Sequence, residues 1–159
     1  MKRYITQKEI NTACLDISSQ MFKDQWRPSW IVGVTRGGLL PAVQLSHYLD
    51  IKMHTLDVRL RDAEDDPEHN LWMADAAASG QKMLIVDDIN DTGATFEWIV
   101  NDWEENDPST EWLGIWGNNV RFASLVNNLP SEFEVDYTSI EINKEENPEW
   151  IVFPYEEWY

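Results

Sequence analysis

The sequence predicts an α/β protein with a mostly parallel central sheet flanked by helices. Segments typical of buried strands alternate along the chain with amphipathic helices, and the two clearest strand–helix pairs are joined by glycine-containing turns. The length of 159 residues fits one domain, 1–159, with enough chain to bury a sizeable core. Ligands of such folds lie beyond the carboxyl ends of the strands, so the turns there are the first places to search for a site.

The first strand–helix pair lies in the N-terminal third. Thr6 and Glu9 have the spacing of a capping box, and the apolar residues after them recur at helical intervals, which predicts a helix over 7–23. The apolar run 30–34 is typical of a buried strand. After a glycine-containing turn, a proline suited to a first helical turn predicts a helix over about 39–49.

The middle and the end of the chain continue the alternation. Residues 52–58 favour a second strand, whereas 59–80, acidic at first and then rich in alanine, are expected to form an exposed excursion. The clearest buried strand is 83–86, and apolar residues at helical spacing mark a helix around 96–103. Further strands are predicted near 113–116, 120–126 and 134–141.

The composition excludes several classes of function. The chain has 12 basic and 29 acidic residues and a formal net charge of −17, so its surface repels the phosphate backbone of nucleic acids. No apolar run approaches the ~20 residues that span a bilayer, and we expect neither a membrane partner nor a signal peptide. The only cysteine, Cys14, lies on the apolar stripe of the first helix, which indicates a core residue in a reducing, cytoplasmic compartment.

The most informative stretch is 85–95, with the sequence IVDDINDTGAT. The backbone N–H groups around Gly93 and at the start of a helix suit a phosphate monoester, and neighbouring threonines add hydroxyl donors. Asp87 and Asp88 can accept hydrogen bonds from a sugar diol or hold Mg²⁺. A helix N-terminus rich in Asp and Thr is the purely structural alternative.

The whole string resembles the phosphoribosyl-pyrophosphate-binding signature of the type I phosphoribosyltransferases. That signature has four apolar residues, two acids, two further residues, Asp, Thr-Gly, a small residue and Thr. The resemblance implies the type I phosphoribosyltransferase fold, with a small hood and a flexible loop, and contacts from Asp87 and Asp88 to the ribose hydroxyls. The residues implied around the 5′-phosphate are Asp91, Thr92, Gly93, Ala94 and Thr95. Asp91 would also be the catalytic proton acceptor or donor near the purine N7.

A second glycine turn, Thr35-Arg36-Gly37-Gly38, follows the first predicted strand. Two glycines allow the backbone to approach a ligand closely, and Arg36 brings a fixed positive charge. Taken alone, such a turn is common between a strand and a helix. Beside the first motif it resembles the pyrophosphate loop of the family, in which the peptide before the basic residue is often cis. This implies that Arg36, together with Mg²⁺, stabilises the departing pyrophosphate.

The tail 149–157 and the stretch 32–42 resemble the xanthine-guanine and hypoxanthine-type branch of the family. The resemblance implies that Trp150 stacks on the purine and that backbone groups near Ile151 read the edge of the base. A strand residue that caps the core is the structural alternative for Trp150. An acid after this segment, either Glu156 or Glu157 with Glu157 favoured, would help to hold a second Mg²⁺. The metal ligands implied in this way are Asp87, Asp88 and Glu157.

One position departs from the family pattern. The lysine that contacts the 6-oxo group of the purine is replaced here by Asn128, or by Asn127 if the register shifts by one. Asparagine can donate to an oxo group and accept from an amino group, so guanine, hypoxanthine and xanthine are in doubt and a 6-aminopurine stays open. The acidic stretch 143–148 disfavours anionic xanthine. The resemblance also implies a flexible loop at about 59–80 and a base-binding hood formed mainly by about 140–159.

The implied function is purine salvage, in which 5-phosphoribosyl passes from 5-phospho-α-D-ribose 1-diphosphate to a purine base and pyrophosphate leaves. Two other functions stay open: a non-catalytic sensor or regulator that retains the phosphoribosyl site, and a phosphoribosyltransferase for a base that is not a 6-oxopurine. The presence of Arg36 and Asp91 favours catalysis. Because dimers and tetramers are common in this fold, the expected protein partner is a second copy, in a homodimer or homotetramer.

Overall fold

The computed structural model describes residues 1–58 and 70–157. The strands are β1 (Lys2–Tyr4), β2 (Trp30–Thr35), β3 (Lys52–Asp57), β4 (Met83–Asn90), β5 (Val120–Asn128), β6 (Tyr137–Ile142) and β7 (Trp150–Val152). The helices are α1 (Gln7–Lys23), α2 (Leu39–Leu49), α3 (Leu71–Ala78) and α4 (Ala94–Asn106), with a 3₁₀ turn at Trp112–Gly114.

The central sheet has five strands in the order β3-β2-β4-β5-β6, and every neighbouring pair is parallel. A separate two-stranded parallel sheet joins β1 to β7. The predicted α/β class with a mostly parallel sheet is therefore confirmed. A parallel sheet needs crossover connections, and these carry the helices onto both of its faces.

Strand β4 shows how the two faces are covered. Leu84 and Val86 lie in the apolar core that α1 and α2 share with the sheet, whereas Met83 and Ile85 lie in the core on the side of α3 and α4. All four side chains are completely buried. A continuous apolar run is what a strand covered on both faces requires, because successive side chains point to opposite sides.

Helix α1 begins as the sequence predicts. The Thr6 hydroxyl accepts a hydrogen bond from the Glu9 backbone N–H at 3.1 Å, and the Glu9 carboxylate accepts one from the Thr6 N–H at 3.3 Å. Cys14 faces the core and is only 2% exposed, and burial raises the pKa of its thiol to about 11. The interpretation of this cysteine as a core residue is therefore confirmed.

Two predictions of secondary structure need correction, and one strand was not predicted. The segment 113–116 is not a strand: Trp112–Gly114 forms the 3₁₀ turn, because the Trp112 indole N–H donates to the Asp107 carbonyl and folds the chain back. The excursion predicted over 59–80 includes the helix α3, whose Met73, Ala74 and Ala77 are buried in the core. The rest of that prediction, 59–69, lies outside the described residues. Strand β1 was missed, since three residues carry too little periodicity to be recognised.

The site follows from the order of the strands. From β2 the chain continues to β3 on one side and later returns to β4 on the other side, so the connections diverge between β2 and β4. Their pairing ends at Gly33 opposite Val86, and a crevice opens beyond this pair. No helix in the described ranges combines the length and the apolar character that are needed to cross a membrane.

Candidate active site

A cavity of about 610 Å³ lies at the carboxyl ends of β2 and β4. Three parts of the chain contribute to its wall: the first glycine turn, the acidic end of β4 with the start of α4, and the C-terminal tail. The polar lining residues include Thr35, Arg36, Gly37, Asp87, Asp88, Thr95, Tyr155 and Glu156. The structure thus brings together two motifs that lie about fifty residues apart in the sequence, together with the tail.

The first glycine turn packs directly against the acidic end of β4. The peptide between Thr35 and Arg36 is cis, as expected. A Cβ atom on Gly37 would lie 2.3 Å from a carboxylate oxygen of Asp88, and one on Gly38 would lie 2.2 Å from the Val86 carbonyl oxygen. Neither position can therefore accept a larger residue without displacing a neighbour. Arg36 is exposed at the wall of the cavity and forms no ion pair with any residue of the described ranges.

Asp87 and Asp88 lie inside β4 and not in the turn after it, because the strand continues to Asn90. The Asp87 carboxylate accepts a hydrogen bond from the Asp88 N–H at 2.8 Å, and the Asp88 carboxylate accepts one from the Ile89 N–H at 2.7 Å. Burial, and next the charge of Asp88, raise the pKa of Asp87 well above its ordinary value. Burial also raises the pKa of Asp88. Two adjacent half-buried carboxylates of this kind attract a cation or hydroxyl donors.

The C-terminal tail closes one side of the cavity. The Tyr155 hydroxyl lies 3.5 Å from the Asp88 carboxylate, to which it donates, and the Tyr155 ring stacks on Phe153 at 5.5 Å between centroids. Burial, and next the charge of Asp88, raise the pKa of the Tyr155 phenol, so it is a donor at neutral pH. Glu156 lines the cavity, whereas the Glu157 carboxylate pairs with Lys2 at 3.2 Å. One oxygen of the Glu156 carboxylate also accepts a hydrogen bond from the Phe153 N–H at 3.0 Å, so both acids considered as metal ligands have a partner, and Glu156 is the one that lines the cavity.

The second half of the acidic motif turns away from this cavity into a neighbouring one. Gly93 has a φ of 93° and precedes α4, and the Ala94 N–H donates to the Thr92 hydroxyl at 3.2 Å. A cavity of about 450 Å³ is lined by Asp91, Thr92 and Ala94, whereas Thr95 lines the first cavity. Of the five residues predicted around the phosphate, three thus line one cavity and Thr95 lines another, and Gly93 lines neither.

Of the residues predicted to bind a base, Asn128 contacts Asp91 directly. Trp150 is linked to Asp91 through Lys144. The Asn128 amide nitrogen donates to the Asp91 carbonyl oxygen at 3.0 Å, and its amide oxygen accepts from the Lys144 N–H at 2.9 Å. The Lys144 ammonium lies 2.9 Å from the Asp91 carboxylate and 5.5 Å from the ring centroid of Trp150. The Trp150 side chain is 62% exposed, whereas Ile151 is buried. Trp150 therefore presents a face to solvent and is not a cap over the core.

Sequence reasoning missed two residues of this region, Lys144 and Tyr155. Lys144 is the single basic residue of the acidic stretch 143–149, and this isolation was the available signal. Tyr155 stands between a proline and two acids, and nothing in that context indicates a contact with Asp88. Only the return of the tail beside β4 makes the contact.

The donor chemistry of the first cavity fits Mg²⁺. In the part of the chain that the structure describes, no three or more His, Cys, Asp or Glu side chains are grouped to hold a metal ion by themselves. Asp87, Asp88 and Glu156 nevertheless place carboxylate oxygens around one cavity. Mg²⁺ is commonly held in this way, by one or two carboxylates together with water and the phosphates of a substrate.

Comparisons with known proteins agree with this geometry. A family model of the phosphoribosyl transferase domain matches residues 2–157. The xanthine-guanine phosphoribosyltransferase of Cereibacter sphaeroides is 37% identical over 78 residues, which are 46% of this chain and 46% of that protein. The match therefore spans less than half the length of this relative.

Solved structures extend the likeness over nearly the whole chain. The purine phosphoribosyltransferase of Pyrococcus horikoshii superposes with a TM-score of 0.69 at 26% identity, covering 99% of this chain and 95% of that one. The xanthine-guanine-hypoxanthine phosphoribosyltransferase of Helicobacter pylori gives a TM-score of 0.69 at 18% identity, covering 98% of this chain and 92% of that one. At 18% identity the second likeness concerns the fold alone.

Proposed function

Because this chain belongs to the phosphoribosyl transferase domain family, we propose that it transfers 5-phosphoribosyl from 5-phospho-α-D-ribose 1-diphosphate to a purine base and releases pyrophosphate. The observation that carries the proposal is the cavity in which Arg36 and the glycine turn face Asp87 and Asp88. One wall of this cavity carries a cation and backbone N–H groups, which suit the phosphates of a phosphorylated sugar. The other wall carries carboxylates, which suit its hydroxyl groups. The purine as acceptor is supported by the relatives named xanthine-guanine and purine phosphoribosyltransferase.

Asp87 and Asp88 would accept hydrogen bonds from the ribose hydroxyls. Each carboxylate uses one oxygen for a backbone N–H of its own strand, which fixes its orientation and leaves acceptor capacity toward the cavity. The 5′-phosphate would lie at the N-terminus of α4, where Asp91, Thr92, Gly93, Ala94 and Thr95 turn into the helix. The Ala94 N–H already donates to the Thr92 hydroxyl, and the helix dipole with the other N–H groups of the first turn favours an anion there.

The diphosphate would lie against the first glycine turn. Close approach of a ligand to backbone N–H groups requires residues without side chains, which Gly37 and Gly38 provide. The guanidinium of Arg36 is exposed at the cavity wall, and in the described ranges it has no carboxylate partner to compete with a phosphate. It would neutralise the charge that develops on the leaving diphosphate.

Asp87, Asp88 and Glu156 would hold Mg²⁺ in the first cavity, which Glu156 lines and Glu157 does not. Bound there, the ion would supply positive charge beside the leaving group. The remaining roles concern the base. Trp150 would stack on the base, the backbone at Ile151 would contact its edge, and Asp91 would take up a proton as the base attacks the sugar.

A screen of free purine and pyrimidine bases tests the proposal. The protein is incubated with the sugar diphosphate, Mg²⁺ and one base at a time, and the release of pyrophosphate is followed. We expect release with a purine and little with a pyrimidine or orotate. Donor binding without turnover on any base would contradict the proposal and favour a sensor that retains the phosphoribosyl site.

Two further proposals concern the surroundings of the enzyme. A lone, buried Cys14 thiol fits a reducing compartment, so we propose a cytoplasmic location. We also propose a homodimer or homotetramer, which light scattering of the purified protein tests. A monomer at all concentrations would contradict the second proposal.

A further inference from the structure

Lys144 occupies an unusual position between the proposed proton acceptor and the proposed stacking platform. Its ammonium lies 2.9 Å from the Asp91 carboxylate and 5.5 Å from the centroid of the Trp150 ring. The Lys144 side chain is 22% exposed and that of Asp91 is 40% exposed, so both remain within reach of a ligand. An exposed indole face with a cation and a carboxylate beside it can hold a flat, polar, aromatic molecule.

Asn128 contacts both Asp91 and the backbone of Lys144 and so joins the two. Its amide nitrogen donates to the Asp91 carbonyl oxygen at 3.0 Å and approaches the Asp91 carboxylate at 3.4 Å. Its amide oxygen accepts from the backbone N–H of Lys144 at 2.9 Å. Asn128 is 7% exposed, so its donors and its acceptor serve to join Asp91 to the segment of Lys144. An amide used in this way is poorly available to recognise a base.

The chemistry of the ammonium then decides which base fits. A lysine ammonium has three donors and no acceptor, and the contact with Asp91 leaves donors free. A donor-only group pairs with an oxo oxygen and has no hydrogen bond to offer an amino group. Glu145 and Glu146 follow the lysine directly in the same loop. Glu149, later in this loop, pairs with Arg3 at 3.9 Å. The first two acids, which form no ion pair within the described ranges, disfavour a base that carries negative charge.

We propose that Lys144 is the specificity-determining residue of the base site and selects a neutral purine that bears an oxo group over one that bears only an amino group at the same edge. This inference rests on the proposed phosphoribosyl transfer. It assigns the selection to a residue of the loop between β6 and β7. Asn128 acts there as a positioning residue.

The test compares hypoxanthine with adenine in wild-type protein and in variants at Lys144. Lys144→Met keeps the length of the side chain and its packing on Trp150, and it leaves the backbone N–H for Asn128 intact. We expect the KM for hypoxanthine to rise about tenfold or more, while the KM for the sugar diphosphate stays within about twofold. Lys144→Arg, which restores the donors, should recover most of the loss. Lys8→Met, at an exposed position of α1, is the matched control and should behave as wild type.

The outcomes separate this inference from the proposed function. If the wild type turns over hypoxanthine and the Lys144→Met variant has the same KM for it, the role of Lys144 is overturned. The transferase proposal then stays intact. Preference of the wild type for adenine would do the same. If none of the bases tested makes the wild-type protein release pyrophosphate, the proposed function is overturned, and this inference is overturned with it. Circular dichroism of each variant shows whether a loss of activity is a loss of fold, and Lys144→Arg keeps the test decisive if the methionine variant unfolds.

Discussion

Replacing Gly37 by alanine is expected to weaken binding of the sugar diphosphate without unfolding the protein. The added Cβ would lie 2.3 Å from one Asp88 carboxylate oxygen, 2.9 Å from the other and 2.6 Å from the carboxyl carbon. Separations under about 3 Å are not tolerated between such atoms, so either the turn or the carboxylate must move. Asp88 is held by the Ile89 N–H at 2.7 Å and by the Tyr155 hydroxyl at 3.5 Å, and its displacement breaks these contacts.

The magnitude follows from the hydrogen bond that is lost. A hydrogen bond to a charged group contributes about 1.5–3 kcal/mol, and a carboxylate that is moved out of line with a ribose hydroxyl loses that contribution. At about 1.4 kcal/mol for each factor of ten, the Kd of the sugar diphosphate should rise roughly 10- to 150-fold. The unliganded protein loses the same contacts of Asp88, so the free energy of unfolding should also fall, by about 1.5–3 kcal/mol, which is less than the total stability of about 5–15 kcal/mol that is usual for a domain.

Isothermal titration of the sugar diphosphate into each protein measures the effect. The matched control is Gly114→Ala, because Gly114 has no atom within 4 Å of the added Cβ and should bind as wild type. Urea denaturation of both variants checks their stability. An unchanged Kd for Gly37→Ala in a folded protein would refute the assignment of Asp88 to the sugar.

Three other expectations concern the chemistry and the core. Asp91→Asn should lower kcat roughly 100-fold or more while binding of the sugar diphosphate survives, because the amide cannot take up the proton. Steady-state kinetics and titration of the sugar diphosphate measure the two effects. Unchanged turnover would show that Asp91 takes no part in the chemistry. Cys14 should resist alkylation at pH 8 in the native state and react fully in urea. Burial raises the pKa of its thiol to about 11, so about one molecule in a thousand carries the reactive thiolate at pH 8. Rapid labelling of the native protein would contradict this. Burial, with the hydrogen bond to Asp24, raises the pKa of Tyr137 to about 12. The folded state therefore holds this proton more tightly, and the stability that it contributes is complete below about pH 10 and is lost between about pH 10 and 12. Urea denaturation over that range should show the loss in wild type and not in Tyr137→Phe.

The arrangement of the main elements was predictable because their periodicities are strong. The first half of β4, residues 83–86, is an unbroken apolar run, and α1 begins at a capping box that the structure contains. The errors occur where local pattern and tertiary packing diverge. The segment at 113–116 has the apolar residues of a strand, yet the Trp112 side chain bonds back to Asp107 and the chain turns. Helix α3 was missed because alanines carry little periodic contrast, although they pack closely against the sheet.

The candidate site was predicted in its parts and not in its connections. The residues of both glycine-containing turns were identified from their sequence, since phosphate and diol recognition needs local features such as glycines, a helix N-terminus and adjacent acids. The different surroundings of Glu156 and Glu157 could not be predicted in this way. Glu157 pairs with Lys2, which lies 155 positions away, because β1 and β7 form one sheet, whereas Glu156 lines the cavity.

The sequence by itself determined the fold class, the net negative charge and the phosphoribosyl motif, because periodicity and motif depend on residues close together along the chain and charge depends on composition alone. Only the tertiary structure decided that Asn128 joins Asp91 to the segment of Lys144, that Lys144 stands over Trp150, and that Tyr155 reaches Asp88. These contacts join the ends of β4 and β5 to the loop after β6 and to the C-terminal tail. Distances between such segments are set by the order and register of the strands, which no local pattern of side chains specifies.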